Sequence, residues 1–381
     1  MKKKAISFVL CAAMILSGSV MAFGADNASG TAAPTGPIKL SLDQAIKQMQ
    51  TEGIQAQTAE LNREKDKNST ERYSDTARTL SSTLREAGND NSTVLESKIN
   101  KLNQAYAAAN QEKNYQADMN SIEAQTVQLY YGVLQAQDGV KAAQDYLELQ
   151  NKLLSNVQKK YSAGVASKKD VLSQEAEIVS AKSKLKSAEV GLSKAKMQFN
   201  MLLDYDLTQE VILTDTLKEL EMPTTTLDQA IAAAKANSMD LAYAQLYADI
   251  QKLTLDNMKY TLSPSSATYK KQTNDYQKAL HAVKMAPVSL EMEVRNQYNA
   301  LEEKKMAVDA AKASYDFSLE NVRLTQISYD AGIAILDDVQ GVQLAAFNSQ
   351  MALAAAITDY DLAVYNFKYI QGAGTERTEL P

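Results

Sequence analysis

Tyr161-Ser162-Ala163-Gly164-Val165-Ala166, running on to Asp170-Val171, returns as Tyr329-Asp330-Ala331-Gly332-Ile333-Ala334, running on to Asp338-Val339. The shared pattern is YxAG[VI]AxxxDV, and its two copies lie 168 residues apart. The same offset pairs Tyr130 with Tyr298, Val140 with Val308 and Phe199 with Phe367, so the duplicated unit is long. A second repeat marks where each unit starts: Ser41-Leu42-Asp43-Gln44-Ala45-Ile46 comes back as Thr226-Leu227-Asp228-Gln229-Ala230-Ile231, at an offset of 185. Each start is a capping box, with Ser41 or Thr226 at the helix N-cap and Gln44 or Gln229 three residues on. The first copy therefore carries 17 more residues than the second between its opening helix and its landmark tyrosine.

Between these landmarks the apolar period is seven. Val133, Val140, Leu147, Leu154 and Tyr161 hold one heptad position before the first motif; Leu129, Ala136, Ala143 and Val157 hold the other, with Gln150 as the exception. Behind the motif come Val171, Ile178, Leu185, Leu192 and Phe199, answered by Ala181, Ala188, Ala195 and Leu202. The second copy keeps the frame through Val294, Leu301, Val308, Tyr315, Val322 and Tyr329, then Val339, Ala346, Leu353, Tyr360 and Phe367. These are coiled-coil seams, and Gly164 or Gly332 between two seams supplies the positive-φ residue that ends a helix and reverses the chain. A helix over about 92–161 would be on the order of 100 Å long at 1.5 Å per residue. The pattern predicts an all-α fold of two tandem, long, antiparallel coiled-coil helical hairpins with little or no β-structure.

Lys2, Lys3 and Lys4 followed by the apolar run Ala5–Met21 read as a secretory signal over 1–24. Cys11, the single cysteine, leaves with it, so the mature chain has no disulfide, thiolate ligand or cysteine nucleophile. Losing three lysines takes the balance from 40 basic against 46 acidic to 37 against 46, which argues against nucleic-acid binding. Residues 25–40, rich in Ala, Ser, Thr, Gly and Pro, read as a flexible leader. A first hairpin repeat spans 41–204, a connector 205–222, a second repeat 223–371, and 372–381 form a tail as flexible as the leader. Nothing between Pro37 and Pro223 must break a helix, whereas Pro287 is expected to break one. His281, the only histidine, lies in a Lys-rich segment without a carboxylate cluster at ligand spacing; no metal, cofactor or catalytic constellation is expected, and the chain reads as a non-enzyme.

The LSLDQAI-type opening, the long helix reaching a YxxG tip, the DV-containing return helix and the second copy of the whole plan resemble the TolC-like outer-membrane efflux proteins over about residues 40–371. That resemblance implies a homotrimer in the cell envelope, each chain giving two helical hairpins to a hollow cylinder whose tips meet an extracytoplasmic adaptor, a membrane fusion protein, of an exporter. It assigns adaptor docking to Gly164, Val165, Gly332 and Ile333. Family members also place two β-strands in each copy between the opening and long helices. Here Arg78–Glu86, Gly88–Asn91 and Val94–Leu102 read as helix, turn and helix, and Leu262–Ser266 is the only turn in the second copy, so the barrel strands are expected to be missing.

Some members carry two aspartates past the second tip that ring the channel mouth. Asp338 matches the first, the second position is Gly341, and Asp337 is the substitute, about 100° round the helix. As residues, Asp170 and Asp338 fall near the first turn of a helix, where a carboxylate stabilises the dipole. Two functional readings follow: an efflux or export component that forms or extends a trans-envelope duct, and a non-conducting extracytoplasmic coiled-coil scaffold derived from the same family.

Overall fold

The computed structural model describes residues 36–87, 90–378 and 380. The signal and most of the leader lie outside the described residues, as do Gly88 and Asn89 of the expected turn. Two strands and eight helices follow in order: β1 (Ile38–Leu40), α1 (Leu42–Thr51), α2 (Ile54–Ala87), α3 (Asn91–Ser162), α4 (Lys168–Leu202), β2 (Val211–Leu213), α5 (Leu227–Asn237), α6 (Met239–Met258), α7 (Ala267–Asp330) and α8 (Leu336–Ile370). The fold is all-α apart from one parallel pair of three-residue strands, in which Ile38 faces Val211 and Leu40 faces Leu213.

Each repeat starts on its capping box. Ser41 Oγ accepts from the Gln44 N–H and Gln44 Oε1 from the Ser41 N–H; Thr226 and Gln229 do the same for α5. The long helices then pack as antiparallel hairpins. Towards the YxAG turns the helices lie side by side in the order α4, α3, α8, α7; towards the opposite end the order is α2, α3, α6, α7. α3 is thus the spine of the first repeat and the bridge to the second.

Each repeat has its own core. Tyr130 meets Phe199 edge-on at 5.8 Å between ring centroids, and their counterparts 168 residues on, Tyr298 and Phe367, meet at 5.6 Å. Val294, Leu301, Val308, Val339, Tyr360 and Phe367 are buried as their heptad requires. α3 departs from its heptad because it faces both α4 and α8. Tyr146 and Leu153, which lie off both heptad positions, are buried, whereas Leu147 and Leu154 are half-buried and the expected Tyr161 is exposed. α8 comes so close that a Cβ on Gly139 would lie 3.3 Å from Met351 Cε.

Three expectations need correction. Pro287 lies inside α7 and does not end it; the helix continues because seam residues on both sides, Ala279 and Val294, are buried and offset the missing N–H. Ile38–Leu40, expected as leader, is β1, since the Ile38 N–H donates to Glu210 O at 2.9 Å and Leu40 O accepts from the Thr214 N–H at 3.0 Å. The tail is tied down rather than loose: Gly374 turns the chain at φ +75° and Arg377 reaches Asp66 at 2.8 Å.

Candidate functional site: the hairpin tips

The two tips are built by the same hydrogen bonds. In the first, the Gly164 N–H donates to Tyr161 O (2.9 Å) and the Val165 N–H to Lys160 O (2.8 Å); in the second, Gly332 donates to Tyr329 O (3.1 Å) and Ile333 to Ser328 O (2.8 Å). This is a Schellman ending, whose αL residue is the glycine. Gly164 sits at φ +73° and Gly332 at +74°, with open space where a Cβ would be, so backbone conformation alone demands glycine there. The residue after each glycine is thrown outward: Val165 is 77% and Ile333 81% exposed.

The return helices start differently. In the first copy Ser167 Oγ accepts from the Asp170 N–H and Asp170 Oδ2 from the Ser167 N–H, at 3.2 and 2.8 Å. The Ser167 N–H holds the Asp170 carboxyl below its usual range, with the Ser167 hydroxyl adding to the effect. In the second copy the N-cap is Ile335, and only the carboxylate half survives, Asp338 Oδ2 accepting from the Ile335 N–H at 3.0 Å. The Ile335 side chain is left 63% exposed beside Ile333.

The tips are joined to each other. Lys160 Nζ donates to Tyr329 O at 2.7 Å and lies 3.5 Å from the centroid of the Tyr329 ring. Leu153, Val157, Val171, Leu336 and Val339 close an apolar cluster round the same tyrosine. Behind it lies a buried amide layer: Gln150 Nε2 donates to Gln343 Oε1 (2.9 Å), Gln174 Nε2 to Gln150 Oε1 (2.8 Å), and Gln340 Nε2 to Gln174 Oε1 (2.8 Å). The layer spans α3, α4 and α8 and fixes the two hairpins against one another, as buried polar groups at a seam set register.

Asp337 and Asp338 open α8 on the surface, in a groove with Leu324, Ser328, Ile333 and Gly341. They do not converge with other acids, and no group of three metal-ligating side chains occurs among the described residues. His281 is an exposed residue of α7.

The heptad reading missed the charge of the tips. Residues 156–173 carry Lys159, Lys160, Lys168 and Lys169 against Asp170; the equivalent 324–341 carry Asp330, Asp337 and Asp338 with no base. Equivalent surfaces thus differ from +3 to −3, and Lys169 is replaced by Asp337. All of these residues except Lys160 and Asp170, which are half-buried, are exposed. The offset of 168 that revealed the turns also carried this signal.

No protein-family model and no curated protein matches the sequence. Solved structures do match. The outer membrane protein VceC from Vibrio cholerae aligns with a TM-score of 0.66 at 12% identity, covering 88% of this chain and 97% of that one. The Campylobacter jejuni CmeC outer membrane channel aligns at 0.64 and 12%, covering 89% and 87%. The Neisseria gonorrhoeae MtrE outer membrane channel, in its open state, aligns at 0.62 and 15%, covering 88% and 90%. At such identities the likeness is one of fold. Where the resemblance would place strands, α2 runs to Ala87 and α3 starts at Asn91, while α6 ends at Met258 and α7 starts at Ala267. The chain has a TolC-like fold, without the barrel strands among the described residues.

Proposed function

We propose that the chain is an efflux or export component of the cell envelope: it forms or extends a trans-envelope helical duct as a homotrimer and docks an extracytoplasmic adaptor by its hairpin tips. The observation that carries the docking is the pair of equivalent tips, each a rigid turn at the end of a long rod presenting backbone and one apolar side chain, Val165 or Ile333, to solvent. Such ends suit contact with a partner's helical hairpin. The arrangement needs no chemistry, and the chain acts as a non-enzyme.

The edges of the helix layer support self-association. α4 leaves Leu172 and Val179 exposed seven residues apart, and α7 leaves Phe317 and Leu324 exposed at the same spacing. Each is a second seam with no partner among the described residues, so α4 of one copy can take α7 of the next in a head-to-tail contact that closes into a ring. The basic first tip of one copy then lies near the acidic second tip of its neighbour. Asp337 and Asp338 act in this reading as channel-mouth acids that attract cations.

A second reading, a non-conducting scaffold, is favoured by the helix ends and short turns that stand where the resemblance would place barrel strands. Among the described residues no helix is long and apolar enough to cross a membrane. Light scattering of the mature protein coupled to planar-bilayer conductance separates the two. A conducting trimer whose divalent-cation block weakens in Asp338→Asn supports the duct and its acids; a non-conducting monomer overturns the duct in favour of the scaffold. Cysteines at Val165 and Ile333 should crosslink to a co-expressed cognate adaptor, and failure at both positions counts against docking.

A further inference from the structure

α2 is a long helix with little to hold it. Its buried apolar residues are Ala56, Ala59, Tyr73 and Ala77, and the seam position between Ala59 and Tyr73, seven residues from each, is Asp66, only 4% exposed. The facing stretch of α3 is polar at the same level, with Asn110 and Asn114 buried between Ala107 and Ala117. A carboxylate in a seam has to be matched by a charge and by hydrogen bonds. Neither α2 nor α3 supplies the charge. It comes from the far end of the chain: the Arg377 guanidinium donates to both Asp66 oxygens, at 2.8 and 2.9 Å, and to Asp118 Oδ2 at 3.2 Å.

The rest of the contact reads the peptide backbone. Asn114 donates to Asp66 Oδ2 (2.9 Å) and Thr378 O (2.8 Å) while its own Oδ1 accepts from the Thr378 N–H (2.9 Å). Asn120 donates to Gly374 O at 2.8 Å and is itself held by Gln116 at 3.0 Å. One amide that both accepts from and donates to a single residue's main chain, a second amide six residues from it, and a bidentate acid for one arginine make a recognition surface for a peptide. A structural tail would need only apolar contact.

We propose that Asp66, Asn114, Asp118 and Asn120 form a peptide-binding cleft for an arginine-bearing segment, filled by the chain's own residues 374–378, and that this strap clamps α2 to α3. The cleft is independent of the duct reading, because it concerns one chain and the end of the layer opposite the tips. Displacing the strap leaves Asp66 without its cation and loosens α2 while the α7–α8 hairpin stays packed.

Hydrogen exchange read peptide by peptide on the full mature chain tests this. Arg377→Met should raise exchange across α2 by a factor of ten or more and leave α8 unchanged; Arg377→Lys, which keeps the charge but loses the fork, should fall between. A synthetic peptide of residues 372–381, added to a chain ending at Gln371, should bind one to one and restore protection in α2, and the same peptide with Met in place of Arg377 should not. Equal α2 exchange in the wild type and both Arg377 variants overturns the proposal. So does a peptide that leaves α2 unprotected on a truncated chain whose circular dichroism is still helical. If truncation unfolds the chain, the two full-length variants decide.

Discussion

Asp361 is the clearest place where one atom can be changed and the consequence calculated. It lies on α8 with no exposed surface; Oδ1 accepts from the Leu220 N–H of the connector at 2.9 Å, the Tyr131 hydroxyl is near enough to favour the charged form, and the Thr358 hydroxyl one turn back has no partner among the described residues. Burial pushes its carboxyl up to about 6, with the Leu220 N–H and the Tyr131 hydroxyl pulling it down and Glu219 pushing it up. A folded value of about 6 against 3.8 means that the fold prefers the protonated acid. Through this group the wild type loses stability as pH rises from about 4 through 6, and the contribution of Asp361 is flat above. At 1.36 kcal/mol per unit the ionised side chain costs roughly 3 kcal/mol. Asp361→Asn keeps an oxygen for Leu220 and removes the charge, so it should be more stable than wild type by about 1–3 kcal/mol at pH 8, the lower figure allowing for a weaker acceptor for Tyr131. The advantage should shrink as pH falls through 6 and vanish near 4, which thermal unfolding across that range reads as a Tm gap of a few degrees that closes. A variant less stable than wild type by the same margin at pH 8 and pH 4 would show that the carboxylate is stabilised by its neighbours, and the reasoning would fail.

Three other outcomes follow from the packing. Gly164→Ala and Gly332→Ala should each destabilise by about 1–2 kcal/mol through positive φ alone, whereas Gly191→Ala inside α4, also with open space at its Cβ, should stabilise by about 1 kcal/mol; chemical denaturation measures all three. Gln150→Leu should cost about 1–3 kcal/mol by stranding the Gln174 and Gln343 amides, and the triple leucine variant at 150, 174 and 343 should recover most of it. Reversing the first tip with Lys168→Glu and Lys169→Glu should weaken self-association in sedimentation, and adding Asp330→Lys and Asp337→Lys should restore it; loss without restoration counts against the head-to-tail ring.

What could be read from the sequence was whatever the backbone imposes on residue type. A chain reversal at φ above zero needs Gly164 and Gly332, and a helix start needs Ser41–Gln44 and Thr226–Gln229, so these features are legible one by one. The offset of 168 matched Tyr130 to Tyr298 and Phe199 to Phe367, but that each tyrosine meets its phenylalanine edge-on was visible only in the structure. Features that depend on three elements meeting were not legible. Gln150 broke the heptad because α8 as well as α4 packs on α3, and its partners are 24 and 193 residues away. Arg377 gave no signal in a short Gly- and Thr-containing tail, since its partner Asp66 is 311 residues distant. The β1–β2 pair is three residues long on each side, too short for alternation to register.

The two tips separate what the fold requires from what it leaves free. Their turns repeat hydrogen bond for hydrogen bond, because any other backbone would fail to reverse the rod. Their surfaces do not repeat: Ser167 gives way to Ile335 at the N-cap, and Lys169 to Asp337 beside it. Only the second exchange helps its own helix, by placing an acid in the first turn. Ile335 forfeits a capping bond of about 1 kcal/mol, and it exposes an apolar side chain that the core does not use. A side chain that weakens the element it sits on and faces solvent is explained by what it meets outside the chain. For the second tip the proposed function supplies two such surfaces, the basic first tip of a neighbouring copy and the end of a docking partner. In the proposed ring the charge of Asp330 and Asp337 meets the neighbouring copy, which leaves Ile333 and Ile335 for the proposed docking partner.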